Sequence, residues 1–236
     1  MNQHTFRVFR ALSICFLLAS VSAWADTFTL VTNQGQLGST DSFNWSNLGP
    51  SGATLGSTFS SSSTGGISIN GAFGAAGSCI ISVGPTPPGG CGWTPSSPVM
   101  NSGDSGVWTN DGNVGTGPIH LDFGLALNGF GIAIQDDDVF PFTAFLNAYN
   151  GATLLGGVQA TSNSNGDAIF IGLQDLNGAN VTGVTFGLVS CGSCQDTTDF
   201  AVTSAQLVAT PEPSSILLLA SGVFGLGTAF RRRWIN

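Results

Sequence analysis

Three consecutive carboxylates, Asp136, Asp137 and Asp138, form the densest charge cluster of the chain. Carboxylates in one loop repel one another, and a hard divalent cation such as calcium relieves that repulsion by binding their oxygens. The surrounding residues lack the glycine and the distant glutamate that would complete an EF-hand loop. The cluster is interpreted as a solubilising loop, with a calcium site as the alternative.

A second candidate for chemistry is Ser105, in the tetrapeptide Gly-Asp-Ser-Gly, together with His120 and Asp122 further along the chain. In nucleophilic catalysis an imidazole takes the serine proton and a carboxylate orients the imidazole. The tetrapeptide resembles the nucleophile loop of trypsin-like serine proteases, but in that family the histidine precedes the serine. His120 and Asp122 alternate on one predicted strand and would share a face without either orienting the other well. A turn is therefore predicted at the tetrapeptide, and the protein is not expected to be an enzyme.

Aromatic side chains offer a third kind of site, because a flat ring can stack on the apolar face of a sugar. Trp45, Trp93, Trp108 and Tyr149 are the candidates, although aromatic residues on strands usually fill the core. Trp93 lies in a segment rich in proline and glycine. It is therefore the best exposed candidate for a carbohydrate ligand.

Four cysteines follow the first 25 residues: Cys79, Cys91, Cys191 and Cys194. An even number in an exported chain favours disulfides. Of the three pairings, Cys79–Cys91 with Cys191–Cys194 is preferred because each bond closes a local loop. A redox dithiol at Cys-Gly-Ser-Cys would normally begin a helix, whereas strand-like residues flank it here. The cysteines could also ligate zinc, but the spacing of the first two is too wide for a typical site.

The strands that would position these candidate residues begin after a segment that resembles a signal peptide. Arg7 and Arg10 precede an apolar run at residues 11–21, and Ala23 and Ala25 fit the small-residue pattern before a cleavage site. Residues 1–25 are predicted to be a signal helix removed by signal peptidase. The protein is therefore expected to leave the cytoplasm.

The charged side chains in the middle of the chain are almost all negative. Residues 26–209 contain no lysine, arginine or glutamate, and their ionisable groups are mainly aspartates. Such a surface repels phosphate backbones and cannot release their counterions. Nucleic acid is therefore excluded as a partner.

Short apolar runs punctuated by glycine-rich turns predict an all-β domain at residues 26–209. Asn150-Gly151 lies between two such runs and is the strongest hairpin signal. Residues 57–66 and 84–98 are predicted to be surface loops. The pattern indicates an antiparallel β-sandwich of jelly-roll type. The predicted strands are 27–31, 42–45, 54–59, 67–73, 79–83, 119–123, 129–135, 142–149, 153–158, 168–173, 181–189 and 200–208.

Residues 210–236 have a three-part organisation. Pro211, Glu212 and Pro213 precede an apolar stretch at residues 214–230, and Arg231, Arg232 and Arg233 follow it. Seventeen residues in a helix reach about 25 Å, near the lower bound for a single transmembrane helix. Arginines directly after the stretch would stop transfer and remain in the cytoplasm.

This arrangement resembles the PEP-CTERM sorting signal of Gram-negative bacteria, whose tail has also been labelled an ice-binding protein C-terminal domain. The resemblance implies a membrane intermediate and processing by an exosortase near the Pro-Glu-Pro. It also implies delivery to the cell surface or extracellular matrix in organisms that make exopolysaccharide or biofilm. The prolines would keep the cleavage segment extended.

The sequence thus predicts an exported structural or adhesive protein without catalytic activity and without a required cofactor. The alternative is a carbohydrate-binding module for matrix polysaccharide, assisted by calcium. A secreted hydrolase that uses aspartates is the third hypothesis.

Overall fold

The protein is an antiparallel β-structure with very little helix, as the sequence predicts. The computed structural model describes residues 27–82, 91, 93, 105–109, 117–137, 140–191 and 197–209. Within these ranges, thirteen strands form one open, hydrogen-bonded sheet. The strands are β1 Phe28–Val31, β2 Asp41–Phe43, β3 Thr58–Ser62, β4 Ser68–Ala72, β5 Cys79–Ser82, β6 Ser105–Trp108, β7 Ile119–Asp136, β8 Phe142–Asn150, β9 Thr153–Thr161, β10 Ile169–Asp175, β11 Val181–Cys191, β12 Phe200–Val202 and β13 Ala205–Ala209. Helix α1 is Gln34–Leu37, and a 3-10 helix is Trp45–Leu48.

The 18-residue strand β7 organises the sheet because its two halves pair with different strands. Its first half pairs with β4 and β11, and the order β3-β4-β7-β11-β8-β9 forms what we call the first arm. Its second half pairs with β10, β12 and β13, which together with β1, β2, β5 and β6 form the second arm. One strand therefore connects all the others.

An irregularity in the middle of β7 joins the two arms. Ile119, Leu121 and Phe123 point into the core in the first half, whereas Phe130 and Ile132 do so in the second. The inward positions thus change from odd to even numbers, and the pairing with β11 and β13 shifts in register near residue 127. An extra residue in a strand reverses which face its side chains occupy. The sequence predicts two separate strands here, at residues 119–123 and 129–135. This is wrong, because β7 continues as one strand through the irregularity.

The buried faces of both arms contribute to one hydrophobic core. The ring of Phe130, from the second half of β7, lies 5.6 Å from that of Phe186 in β11. Leu37 of α1 packs with Val31 and Val208 on the other side of the second arm. The arms therefore face each other across shared packing, while α1 covers part of the second arm from outside.

The predicted hairpin at Asn150-Gly151 is confirmed. Strands β8 and β9 pair along their length, and Gly151 has a φ of 55° at the turn between them. Glycine adopts this left-handed conformation without the steric cost that a Cβ brings. The longest hairpin of the first arm is thus encoded locally.

Several local predictions are wrong for identifiable reasons. The serine-rich segment 57–66 contains strand β3, because Phe59 is half-buried and packs against the core while Thr58, Ser60 and Ser62 are exposed. Ser105 begins strand β6 where a turn was predicted. Trp45 begins the 3-10 helix, capped by the Asn44 side chain, where the end of a strand was predicted. Each error arises because composition indicates a loop or strand without showing what the side chain packs against.

A disulfide joins Cys79 and Cys91, with a Cα–Cα distance of 6.3 Å, and confirms that pairing. Cys191 ends strand β11, and Cys194 lies outside the described residues, so the second pairing stays a prediction. The predicted loop at residues 84–98 is described only at Cys91 and Trp93.

The two terminal signals lie outside the described residues. They comprise the signal peptide with Ala23 and Ala25 and the whole of residues 210–236. In the part of the chain that the structure describes, no helix has the length and apolar character needed to cross a membrane. The predicted transmembrane helix at residues 214–230 stays a prediction.

Candidate functional site

On the solvent-facing side of the first arm, two rows of cross-strand partners run over all six strands and consist mainly of polar and small residues. Successive residues of a strand point to opposite faces of the sheet. Residues that pair across neighbouring strands point to the same face. We call these two rows the outer face. In strand order from β3 to β9, the first row is Thr58, Ala72, His120, Thr185, Asn147 and Gly157, and the second is Ser60, Asn70, Asp122, Gly183, Tyr149 and Leu154.

His120 is held at the centre of the outer face by its neighbours. Its Nδ1 lies 2.8 Å from Thr185 Oγ1 and its Nε2 lies 3.1 Å from Asp122 Oδ1. The Tyr149 ring meets the imidazole edge-on, with 6.0 Å between ring centroids. The sequence-based expectation that Asp122 would not orient His120 is therefore wrong. The register explains this, because Thr185 is the cross-strand partner of His120 and holds the ring from the other side.

Gly183 provides the space that this arrangement needs. A Cβ at Gly183 would lie 2.9 Å from Asp122 Oδ1 and 3.7 Å from His120 Cε1. Any side chain there would crowd the carboxylate that bonds the imidazole. The small residue thus keeps the centre of the outer face open.

A groove beside His120 has a volume of about 510 Å³. The Ser60 hydroxyl donates a 2.7 Å hydrogen bond to Asn70 Oδ1, and both residues line the groove. The lining therefore combines hydroxyl, amide, imidazole and carboxylate groups. The groove is lined by Thr58, Phe59, Ser60, Asn70, Gly71, Ala72, His120 and Asp122. Such groups can donate and accept hydrogen bonds with a neutral, hydroxyl-rich ligand.

The structure does not bring the suggested catalytic residues together. Ser105 lies on β6, which connects to the second half of β7 through β12. His120 and Asp122 lie in the first half of β7, in the first arm. A proton transfer needs the two groups within hydrogen-bond reach, and this topology separates them.

The three aspartates proposed for calcium are only partly described. The Asp136 side chain is 2% exposed at the end of β7, and Asp137 follows it. Asp138 lies outside the described residues. Among the residues that are described, no three histidine, cysteine, aspartate or glutamate side chains are grouped so as to hold a metal ion.

Trp93 is buried, and the prediction that it is exposed is wrong. Its side chain is 1% exposed and its ring lies 5.5 Å from that of Trp108. Trp108 donates from Nε1 to Asp199 Oδ1 at 2.7 Å, and Trp45 donates to the Thr203 carbonyl at 2.7 Å. These indoles therefore fill the interior, as buried tryptophans with a satisfied N–H usually do.

Tyr149 is the one of the four aromatic candidates that lies on the outer face, where it is half-buried. Sequence reasoning missed the groove beside it. The available signal was the spacing of polar residues at 58 and 60, at 68 and 70, and at 120 and 122. Only the register shows that these pairs lie side by side.

The comparisons with known proteins concern the segment that follows β13. The family model of the PEP-CTERM protein-sorting motif matches residues 209–233, which include Pro211, Glu212, Pro213 and the three arginines. Searches of curated proteins and of solved structures found no match. The chain therefore carries a PEP-CTERM sorting motif and is an exported protein handled by an exosortase system.

Proposed function

We propose that the protein is a structural or adhesive component of the cell surface or extracellular matrix of a Gram-negative bacterium. Its domain at residues 26–209 acts by binding, as a jelly-roll β-sandwich without catalytic activity. The PEP-CTERM motif at residues 209–233 is the observation that carries this proposal. Signal peptidase and an exosortase are the processing enzymes, and exopolysaccharide or biofilm is the setting.

The described residues support a binding role over catalysis. Ser105 and His120 lie in different arms, and the Asp122 carboxylate bonds the imidazole on an open surface where its side chain is 58% exposed. Catalytic acid–base groups usually work in sites that exclude water. An open polar surface of this kind suits recognition of a ligand or a neighbouring molecule.

The intact mass of the protein recovered from its host tests the sorting role. We expect an end near residues 210–213 in the parent strain and retention of Arg231–Arg233 in a strain that lacks the exosortase. Fractionation of the two strains should place the protein at the surface or in the matrix only when the enzyme is present. The same mass and the same fraction in both strains would contradict the proposal.

A second candidate function is binding of a neutral polysaccharide at the outer face. The observation that favours it is the groove of about 510 Å³ between the hydroxyl of Ser60, the amide of Asn70 and the imidazole of His120. Tyr149 adds an aromatic ring at the same level of the sheet. Because residues 26–209 have no lysine or arginine, the surface disfavours anionic sugars.

A glycan array probed with the exported protein tests this candidate. Binding of neutral glycans should weaken on Asn70→Ala and on Tyr149→Ala. Thr29→Ala is the matched control, because Thr29 is exposed on β1 of the second arm and lies away from the groove. No glycan binding by the parent protein, or equal binding by all variants, would reject the outer face as a sugar site.

A further inference from the structure

Two buried oxygen atoms at one end of the core have no hydrogen-bond partner. They are Oδ2 of Asp175 and Oδ1 of Asn128, and each exposes less than 1 Å². Asp175 as a whole is 5% exposed. Buried polar oxygens are normally paired, so two unpaired ones need an explanation.

Asp175 and Asn128 lie where the ladder between β10 and β7 ends. Gln174 of β10 pairs with Gly129 of β7 in the last pair of this ladder, and Asp175 and Asn128 are the next residues of the two strands. Leu173, two residues before Asp175, pairs with Phe130, two residues after Asn128, and both are fully buried in the core. Asp175 and Asn128 therefore point inward at the edge of that core.

The chain after Asp175 folds back over this position. Asp175 Oδ1 accepts a hydrogen bond of 2.8 Å from the Asn177 amide, and the Leu176 amide donates to the Thr27 carbonyl at 3.3 Å. Gly178 then takes a φ of 123°, which favours glycine. Residues 176–178 are thus fixed next to Asp175 and Thr27, directly after the end of β10.

The domain at residues 26–209 supplies no lysine or arginine side chain for the buried carboxylate. The one histidine of this range, His120, bonds Asp122 on the outer face of the other arm. An isolated buried carboxylate is strongly unfavourable unless it is neutralised or paired. The compensating charge at Asp175 must therefore come from solution.

We propose that Asp175 and Asn128, together with the loop at residues 176–180, form a calcium-binding site inside the junction of the two arms. Calcium takes six to eight oxygen ligands, and it accepts carboxylates, amide carbonyls, backbone carbonyls and water in flexible geometry. Asp175 Oδ2 and Asn128 Oδ1 are the side-chain ligands, and the loop carbonyls and water complete the shell. The site is structural and separate from the outer face, so it stands whether or not the proposed surface role is correct.

Titration calorimetry of the exported protein with calcium chloride tests the site directly, after extensive treatment with chelator. We expect one calcium ion bound per chain. In the presence of about a hundredfold excess over the Kd, the melting temperature should rise by roughly 5–10 °C relative to chelator. No heat of binding and no difference in melting temperature would overturn the proposal.

Two variants locate the ion, with a third as control. Asp175→Asn keeps the shape but removes the charge, and should lose calcium binding and the calcium-dependent rise in melting temperature. Asn128→Asp adds a second carboxylate to the site. In chelator its melting temperature should be lower than the parent's, because the two carboxylates repel each other. Calcium should then raise its melting temperature by more degrees than it raises the parent's. Asp122→Asn, at an exposed carboxylate of the outer face, should respond to calcium as the parent does. Unchanged binding by Asp175→Asn would place the ion elsewhere, for example at Asp136–Asp138, and would overturn this assignment.

Discussion

At the scale of single residues, the aspartates differ in what they do despite their uniform charge. Asp41 is half-buried, and its carboxylate accepts hydrogen bonds from the amides of Ser42 at 2.7 Å and Gly65 at 2.6 Å and from the Ser63 hydroxyl. Ser63 in turn accepts from the Ile67 amide at 2.9 Å. One side chain thus fixes the turn between β3 and β4.

Replacing Asp41 by alanine should lower the free energy of unfolding by about 1–3 kcal/mol, because the amides and hydroxyl that it binds lose a charged acceptor. Urea denaturation would measure this change. Asp122→Ala is the matched control, and its loss should stay below about 1 kcal/mol because the carboxylate is exposed. Equal losses in the two variants would contradict the role assigned to Asp41.

Trp93 provides a second prediction at this scale, because burial decides between a core role and a binding role. Trp93→Ala removes a side chain that is 1% exposed, and should cost about 3–5 kcal/mol of stability. Trp93→Phe should recover part of this loss by refilling the space. A Trp93→Ala variant that unfolds at the parent's urea concentration but no longer binds glycans would restore the original interpretation of Trp93 as a stacking platform.

At the scale of elements, sequence patterns predicted those strands whose turn or alternation is local. The β8–β9 hairpin is recognisable because Asn150-Gly151 suits the turn by itself. The continuity of β7 could not be predicted, because Leu125 to Gly129 breaks the alternation and only the neighbouring strands keep the backbone paired through it. Strand β3 was hidden for a similar reason, since three of its five residues are serines and Phe59 is its single large apolar residue, packed against the core.

The edge strand β3 is held to β4 by contact between an aromatic ring and a glycine. Phe59 pairs with Gly71, and a Cβ at Gly71 would overlap the Phe59 ring. The ring cannot easily move, because Phe43, Trp45 and Phe73 surround it at centroid distances of 6.2, 5.8 and 5.4 Å.

Gly71→Val should therefore destabilise the protein by about 1–3 kcal/mol through overpacking. Hydrogen exchange should show faster exchange in β3 than in β8, because the edge strand detaches first. Gly56→Ala is the control, since a Cβ there meets its nearest neighbour at an ordinary 3.8 Å. Unchanged protection of β3 in Gly71→Val would show that the ring has an alternative position.

At the scale of the whole molecule, the distribution of charge is the most unusual property. The net charge is −8, and all five basic residues lie in the first ten residues or at positions 231–233. This could be read from the sequence alone, as could the exclusion of nucleic acid. The candidate site could not, because the outer face exists only once six strands are placed in register. Asn128 and Asp175, 47 residues apart in the chain, come to the same end of the β10–β7 ladder in the same way.

The charge distribution makes trypsin a test of processing. We expect trypsin to leave the mass of the exported, denatured protein unchanged, because removal of the signal peptide and of the sorting segment takes every arginine with it. Chymotrypsin is the control and should fragment the same denatured chain at its phenylalanines. A loss of mass with trypsin, matching removal of residues after Arg231–Arg233, would show that the exported protein retains the basic residues.

The placement of β13 has a mechanical consequence for a protein held through its sorting segment. Residue 210 follows β13 directly, and Ala209, the last residue of β13, pairs with Leu127 on β7. His120 and Asp122 precede Leu127 on the same strand. Tension applied at residue 210 and at a ligand on the outer face would thus act on the same end of the β13–β7 ladder. Such a ladder opens pair by pair from that end, whereas strands pulled in opposite directions must lose many hydrogen bonds together. The tether would yield gradually under load, beginning at Ala209.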